Sequence, residues 1–212
     1  MMISPFRIAR RWLKTRGFTL IELMVVVAVV SIILVLAAPP LHNMILMQRL
    51  RGATAQLVTD MQFARNEAVG RGILLRVSFR TSTDMTMTCY SLFTAPGNTP
   101  LGGNETRCNC LLGPGSACTG ALTEVRTVQT PIVQSITLSP PTGQAKAFAF
   151  DPTTGGIYSI PTDDVSLPLD DFIIETYIDD TRKLHTKLNR AGRPTVCAPA
   201  GSTVSETICP SP

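Results

Sequence analysis

From Phe18 to Ala38 the only strongly polar side chain is Glu22. A run of roughly 20 apolar residues is about 30 Å long as a helix, enough to cross a bilayer. A carboxylate near the start of such a helix needs a partner, which makes Glu22 a candidate functional residue. Just before the run lie Arg7, Arg10, Arg11, Lys14 and Arg16, with no acid among the first 17 residues. Basic residues stay on the cytoplasmic side, so this flank sets the orientation. Two simpler readings compete. A secretory signal peptide cut after Ala37-Ala38 should have an apolar core of about 7–15 residues, shorter than this one and without an acid. A plain single-span anchor has no use for Glu22 or for a glycine at the junction.

The basic leader followed by Gly17-Phe18-Thr19-Leu20-Ile21-Glu22-Leu23 resembles the prepilin processing site of type IV pilins and type II secretion pseudopilins. The resemblance implies cleavage between Gly17 and Phe18 by a prepilin peptidase and N-methylation of Phe18. It also implies a filament-assembly role for Glu22, whose partner would be the α-amino group of a neighbouring subunit's Phe18. Gly17 should resist substitution, because a larger side chain would crowd the scissile bond.

The chain has 212 residues, 44% of them hydrophobic, room for this helix and one globular domain. Its formal charge of +4 is misleading. The leader holds five of the 19 Lys+Arg and none of the 15 Asp+Glu, leaving 14 bases against 15 acids, or −1, downstream. That balance gives no global attraction for nucleic acid, so any such contact needs a local patch. Six cysteines, Cys89, Cys108, Cys110, Cys118, Cys197 and Cys209, all lie beyond the apolar run. They fit disulfides in an oxidising compartment, and the sequence does not choose among their pairings. Cys108-x-Cys110 with Cys118 lacks the second ligand pair of a metal knuckle, so a disulfide-pinned loop is expected there and no metal.

Past Pro39-Pro40, which should kink the helix, Leu50, Ala53, Leu57, Met61, Ala64 and Ala68 recur at helical spacing. Arg49, Arg51, Gln56, Asp60, Arg65 and Glu67 take the other faces. Gly70 and Gly72 mark the helix end. Ile73, Leu75, Val77 and Phe79 then alternate with more polar residues, a strand with one buried face, and Met85–Phe93 should return beside it. Ala95–Gly120 reads as a long loop. Further strands fit Glu124–Gln129, Ile132–Leu138, Ala145–Phe150, Phe172–Tyr177 and Arg182–Asn189, with a turn at Asp151–Gly156. The domains are therefore a leader over 1–17, a transmembrane half-helix over 18–39, an amphipathic half over 40–71 and a periplasmic β domain over 72–212.

This layout resembles the type IV pilin-like fold, an α+β architecture in which a long N-terminal helix packs its second half on an antiparallel β-sheet. Ala64-Arg65-Asn66-Glu67-Ala68 with Arg71, Phe148-x-Phe150-Asp151-Pro152 with Gly155, and Ala191-Gly192-Arg193 are similar to segments of the GspH/FimT group.

Nothing in the pattern supplies catalysis or a cofactor site. His42 and His185 are far apart, and there is no Gly-x-Ser-x-Gly or phosphate loop. The acids Asp163, Asp164, Asp170, Asp171, Glu175, Asp179 and Asp180 match no Ca²⁺ loop and fit a solvated strand edge and turn. On the strand Leu184–Leu188, Leu184, Thr186 and Leu188 share one face; Lys183, His185 and Lys187 share the other. DNA-binding FimT-like minor pilins carry Gly-Arg-x-Arg in this region; here Gly192-Arg193-Pro194-Thr195 keeps the first arginine and loses the second. Arg190 is the candidate substitute, so Lys187, Arg190 and Arg193 are the candidate DNA contacts. Lysines on an edge strand also serve to block edge pairing, and the preceding acids could neutralise the patch. The expected protein is a minor pilin or pseudopilin, processed into a filament and anchored once in a bacterial inner membrane. Its N-terminus would be cytoplasmic and its C-terminal domain periplasmic. Its partners would be other pilin or pseudopilin subunits and the prepilin peptidase, with DNA as a candidate. Pilus and type II secretion roles both remain open at this stage.

Overall fold

The computed structural model describes residues 17–95, 108–131, 135–160 and 168–210, without the side chains of residues 36–40. The basic leader, Pro39-Pro40 and the acids Asp163 and Asp164 fall outside the described residues or side chains. The chain divides into two compact units, Met1–Asn43 and Met44–Pro212.

In the first unit, helix α1 (Leu20–Arg71) begins. Thr19 caps it: its Oγ1 accepts from the Glu22 N–H at 3.3 Å and its carbonyl accepts from Leu23 N–H at 3.2 Å. Threonine at this position followed three residues later by glutamate is the sequence signature of a helix start, and the acid sits at the positive end of the helix dipole. The apolar side chains from Phe18 to Val35 are exposed on all faces. Among the described residues no helix is long and apolar enough to cross a membrane. The described side chains of the run stop at Val35 and resume only at Leu41, so they do not cover the span expected over 18–39.

In the second unit the rest of α1 buries Leu46, Leu50, Leu57, Met61, Ala64 and Ala68, a stripe at three- and four-residue spacing. Ala53, expected in the stripe, is only half-buried, and Asp60, expected on an outer face, is fully buried. The helix stops where Gly72 turns left-handed (φ 64°) and the Ile73 N–H reaches back to the Ala68 carbonyl at 3.1 Å. Glycine takes that conformation without a Cβ penalty.

Among the described residues nine strands follow: β1 (Leu75–Thr81), β2 (Met87–Thr94), β3 (Thr123–Pro131), β4 (Thr137–Ser139), β5 (Ala147–Phe150), β6 (Ile157–Ser159), β7 (Asp171–Tyr177), β8 (Lys183–Asn189) and β9 (Pro194–Cys197). They form two antiparallel sheets, ordered β3-β2-β1-β5-β6 and β4-β7-β8-β9. The main core is shared by helix and sheets: Leu57, Met61 and Ala64 with Phe79, Phe148 and Phe172. The rings of Phe148 and Phe172 lie 4.5 Å apart and join the two sheets. Burying each such side chain contributes about 1.5–3 kcal/mol.

Several expectations are corrected here. Strand β1 is buried on both faces, Arg76 and Ser78 included. The reason is a cap: residues 108–118, with a short 3-10 helix over Cys110–Leu112, fold over the back of the first sheet. Cys89–Cys110 ties that cap to β2, and Cys108–Cys118 closes it. The region read as a plain loop is therefore in part an ordered lid with its own small core of Phe93, Cys108 and Ala117. Of the strand expected over Ile132–Leu138, only Thr137 and Leu138 are in a strand among the described residues, within β4, and β6 and β9 were not expected at all.

Candidate functional site

Three parts of the chain carry the sequence-based site residues, and the structure treats them differently. At the expected processing junction, Gly17 and Phe18 precede the helix and are exposed. Glu22 lies in its first turn, also exposed, with its backbone held by the Thr19 cap. These three remain together by sequence, on an accessible helix start.

The second part is the turn between β8 and β9. Asn189 shapes it: its N–H donates to the Arg193 carbonyl at 3.2 Å, its carbonyl accepts from Gly192 N–H at 2.8 Å, and its Oδ1 accepts from Arg193 N–H at 3.0 Å. Lys187 and Arg190, the candidate phosphate contacts, pair with the acids of β7 and its approach. Lys187 Nζ is 2.7 Å from Asp171 Oδ2, and Arg190 Nη1 is 3.6 Å from Asp170 Oδ1. His185 Nε2 lies 3.2 Å from Glu175 Oε1, and Lys183 pairs with Asp180 at 3.1 Å. The cause is register. Strand β8 runs antiparallel to β7, so its basic positions stand opposite or diagonal to the acids of β7, as with His185 facing Glu175. Arg193 is exposed and has no acidic partner among the described residues. The turn therefore brings Arg190 and Arg193 to one loop but leaves one unpaired cation.

The third part is a junction that the sequence did not join. Arg65 of α1 donates from Nε to the Ala191 carbonyl at 2.9 Å. The Asp151–Gly156 turn packs against the same place: Ile157 N–H donates to the Arg190 carbonyl at 3.2 Å. Gly192 is buried with φ 70°, and a Cβ there would run into the Gly155 carbonyl and the Phe150 ring. A Cβ on Gly155 would come within 2.9 Å of Arg65 Nε. The Ala-Arg-x-Glu-Ala, Phe-Asp-Pro and Ala-Gly-Arg segments thus converge on one close-packed point. Their residue types are explained by packing, with small residues where backbones approach and an arginine that bonds a carbonyl.

Sequence reasoning missed a further polar cluster. Asp60 of α1 is fully buried, accepts a 2.6 Å hydrogen bond from Tyr90 Oη, and lies 2.9 Å from Arg126 Nη1. Burial, and then the bond to Asp60, push the Tyr90 phenol well above its ordinary pKa. The signal available in the sequence was an acid within the apolar stripe's arc, between Leu57 and Met61.

The cysteines form three disulfides, Cys89–Cys110, Cys108–Cys118 and Cys197–Cys209, and none is free. Cys197–Cys209 pins the segment after β9, where Ala198 and Ile208 pair. Among the described residues no group of His, Cys, Asp and Glu could hold a metal.

Residues 12–38 match the family described as the prokaryotic N-terminal methylation motif. The chain carries the N-terminal signature of a type IV pilin-like protein. That signature implies a membrane-anchored N-terminal segment. Among solved structures, the type IV minor pilin FimU of Pseudomonas aeruginosa strain PAO1 is similar. It is 12% identical, with 75% of this chain and 95% of that chain covered and a TM-score of 0.45. No curated protein matches the chain.

Proposed function

We propose that this type IV pilin-like protein is a minor pilin or pseudopilin of the GspH/FimT kind. It enters or primes a filament of a type IV pilus or of a type II secretion machine. The N-terminal methylation motif over residues 12–38 is the observation that carries the reading. Within it, a peptidase cuts between Gly17 and Phe18, Phe18 is N-methylated, and Glu22 registers the helix against a neighbouring subunit. The segment 18–39 anchors the chain once in the inner membrane with the leader cytoplasmic, and the disulfide-bonded unit lies in the periplasm, where such bonds persist. Any DNA contact by Lys187, Arg190 and Arg193 would compete with the pairs that Lys187 makes with Asp171 and Arg190 with Asp170, whereas Arg193 has no acidic partner among the described residues.

Mass spectrometry of the mature N-terminus tests the reading. The expected chain begins at a methylated Phe18. A chain beginning at Pro39 would replace the filament reading with an ordinary signal peptide.

A further inference from the structure

In the second unit, the inward faces of α1, β7 and β8 repeat one pattern. Helix α1 gives Leu57 and Met61 to the main core and Leu50 to a second, smaller apolar cluster, with Thr54 buried between them. Strand β7 gives Phe172 and Ile174 to the main core, then the buried Thr176; Ile178, just past its end, joins the smaller cluster. Strand β8 gives Leu188 to the first and Leu184 to the second, with Thr186 buried between them. A threonine thus marks the boundary in all three elements. Thr54 Oγ1 donates to the Leu50 carbonyl at 2.8 Å. The hydroxyls of Thr176 and Thr186 have no protein partner among the described residues, and burying a hydroxyl without one is unfavourable. A separation at this layer hydrates both hydroxyls. A separation through the main core exposes the rings of Phe79, Phe148 and Phe172.

The smaller cluster consists of the buried Leu50, Leu184, Ala198 and Val204, with Met47, Ile178 and Val196 packed against them, and holds no aromatic ring. Ala198 and Val204 come from the segment after β9. Among residues 199–208 only Val204 is buried. Cys197–Cys209 closes this segment into a loop. Ala198 N–H donates to the Thr207 carbonyl at 2.8 Å, and Cys209 N–H to the Ala198 carbonyl at 2.9 Å. Thr203 N–H donates to the Thr181 carbonyl at 2.8 Å, which lays the loop beside the start of β8. Its charged tie to α1, Arg51 Nε to Glu206 Oε1 at 3.9 Å, is long and solvent-exposed, and so weak.

We propose that this end of the unit, α1 from Met44 to Ala53 with residues 198–209, opens separately from the main core, and that the Cys197–Cys209 disulfide is its latch. Four buried residues hold it closed, against sixteen in the main core, so it opens at the lower free energy. Opening frees about 15 Å of helix from the sheets. The rest of α1 stays fastened by Asp60, bonded to Tyr90 and paired with Arg126, and by Arg65 on the Ala191 carbonyl. The disulfide restricts the states that the lifted loop can reach, and so keeps Ala198 and Val204 near Leu50. The proposal stands on this geometry and not on the filament reading.

The test uses the full chain in zwitterionic detergent and two methionines as reporters of water access. Met61 is fully buried in the main core, and Leu50→Met, a swap of similar volume, puts a second methionine at a fully buried position of the smaller cluster. Peroxide converts a methionine it can reach to the sulfoxide, and peptide mass spectrometry reads each rate. The introduced methionine is expected to oxidise about tenfold or more faster than Met61. Adding Cys197→Ser/Cys209→Ser should raise its rate about tenfold again and leave Met61 unchanged. Adding Thr186→Val, which puts a methyl group in place of the boundary hydroxyl, should slow it towards the rate of Met61. Circular dichroism checks that each variant is folded. Hydrogen exchange without the Leu50 substitution is an independent reading: loss of the disulfide should speed the amides of residues 182–186 and 194–198 and leave those of β1 and β2 unchanged. Equal oxidation of the two methionines overturns the separate opening. A disulfide-free variant that speeds both methionines alike, or neither, overturns the latch, and no slowing by Thr186→Val overturns the threonine layer as the boundary.

Discussion

Gly192 shows how little room single positions leave at the junction beneath α1. Its backbone is left-handed, and the Gly155 carbonyl and the Phe150 ring occupy the place a Cβ would take. Left-handed strain costs about 1–2 kcal/mol for an L-residue, and overpacking adds about 1–3 kcal/mol. Gly192→Ala is therefore expected to destabilise the protein by about 3 kcal/mol in denaturant titration. Gly201 has φ 84° but open space around it, so Gly201→Ala should lose only about 1 kcal/mol. Equal losses would show that the close approach at Gly192 relaxes freely. Glu22 poses the opposite case, an exposed acid whose removal should leave the second unit folded. Its carboxylate favours the helix start by about 0.3–1 kcal/mol, too little to explain a large effect on assembly. Glu22→Ala should keep the thermal transition and lower incorporation into filaments in a pull-down from membranes. Unchanged incorporation would mean that apolar packing alone sets the helix register.

At the scale of elements, α1 is fastened to the first sheet by Asp60 as well as by its apolar stripe. Removing one member of a buried charged cluster leaves the others desolvated and unpaired, which costs about 3–5 kcal/mol. Asp60→Ala should lower stability by about 3 kcal/mol or more. Tyr90→Phe, which removes one hydrogen bond, should cost about 1–2 kcal/mol. A double-mutant cycle should show strong coupling; additive losses would mean the two side chains act independently. Turns respond to acid for a related reason. Desolvation opposes ionisation of Glu124 and Asp151, yet hydrogen bonds from Gly115 and Ala117 to the first, and from Thr153 and Thr154 to the second, outweigh it and hold both carboxyls below their ordinary range. Asp179 is lowered chiefly by Arg182, then by Thr181. A carboxyl with a depressed folded pKa adds stability above its unfolded pKa of about 4 and loses it as pH falls through the folded value. The melting temperature should thus hold from neutral pH to about 5 and drop below 4. The drop should shrink in Asp151→Asn, which no longer titrates.

The helix, the strand alternation of β8 and the Gly72 stop were legible because each is a local pattern. In β8 Leu184, Thr186 and Leu188 are buried, as their spacing requires. The burial of Asp60 and Arg76 was not legible, since it depends on β3 and on the cap arriving from distant sequence. Strands β6 and β9 escaped notice because they are three and four residues long and flanked by Gly and Pro. The turn at Gly192-Arg193 was found, but its ion pairs depend on how β8 is registered against β7.

For the whole molecule, the decisive quantity is where the charge sits. The full chain carries +4 with a pI near 8.9, yet five bases lie in the first 17 residues and no acid does. The proposed cleavage after Gly17 would change the net charge from +4 to −1, so that a basic precursor became a nearly neutral subunit. The same cut removes Trp12, the single tryptophan of the chain. Processing is then readable without sequencing: the mature protein should lose tryptophan fluorescence near 350 nm and focus several pH units lower than the precursor. In cells lacking prepilin peptidase, both properties should stay those of the precursor. Gly17→Val should act the same way, since added bulk sits at the scissile bond and nowhere near the folded core. A Gly17→Val protein that still loses its tryptophan and its basic focus would show that cleavage falls elsewhere. The charge step also matters for assembly. Subunits near neutrality repel one another little once the leader is gone, whereas uncut leaders would crowd five positive charges per subunit at one depth of the membrane surface.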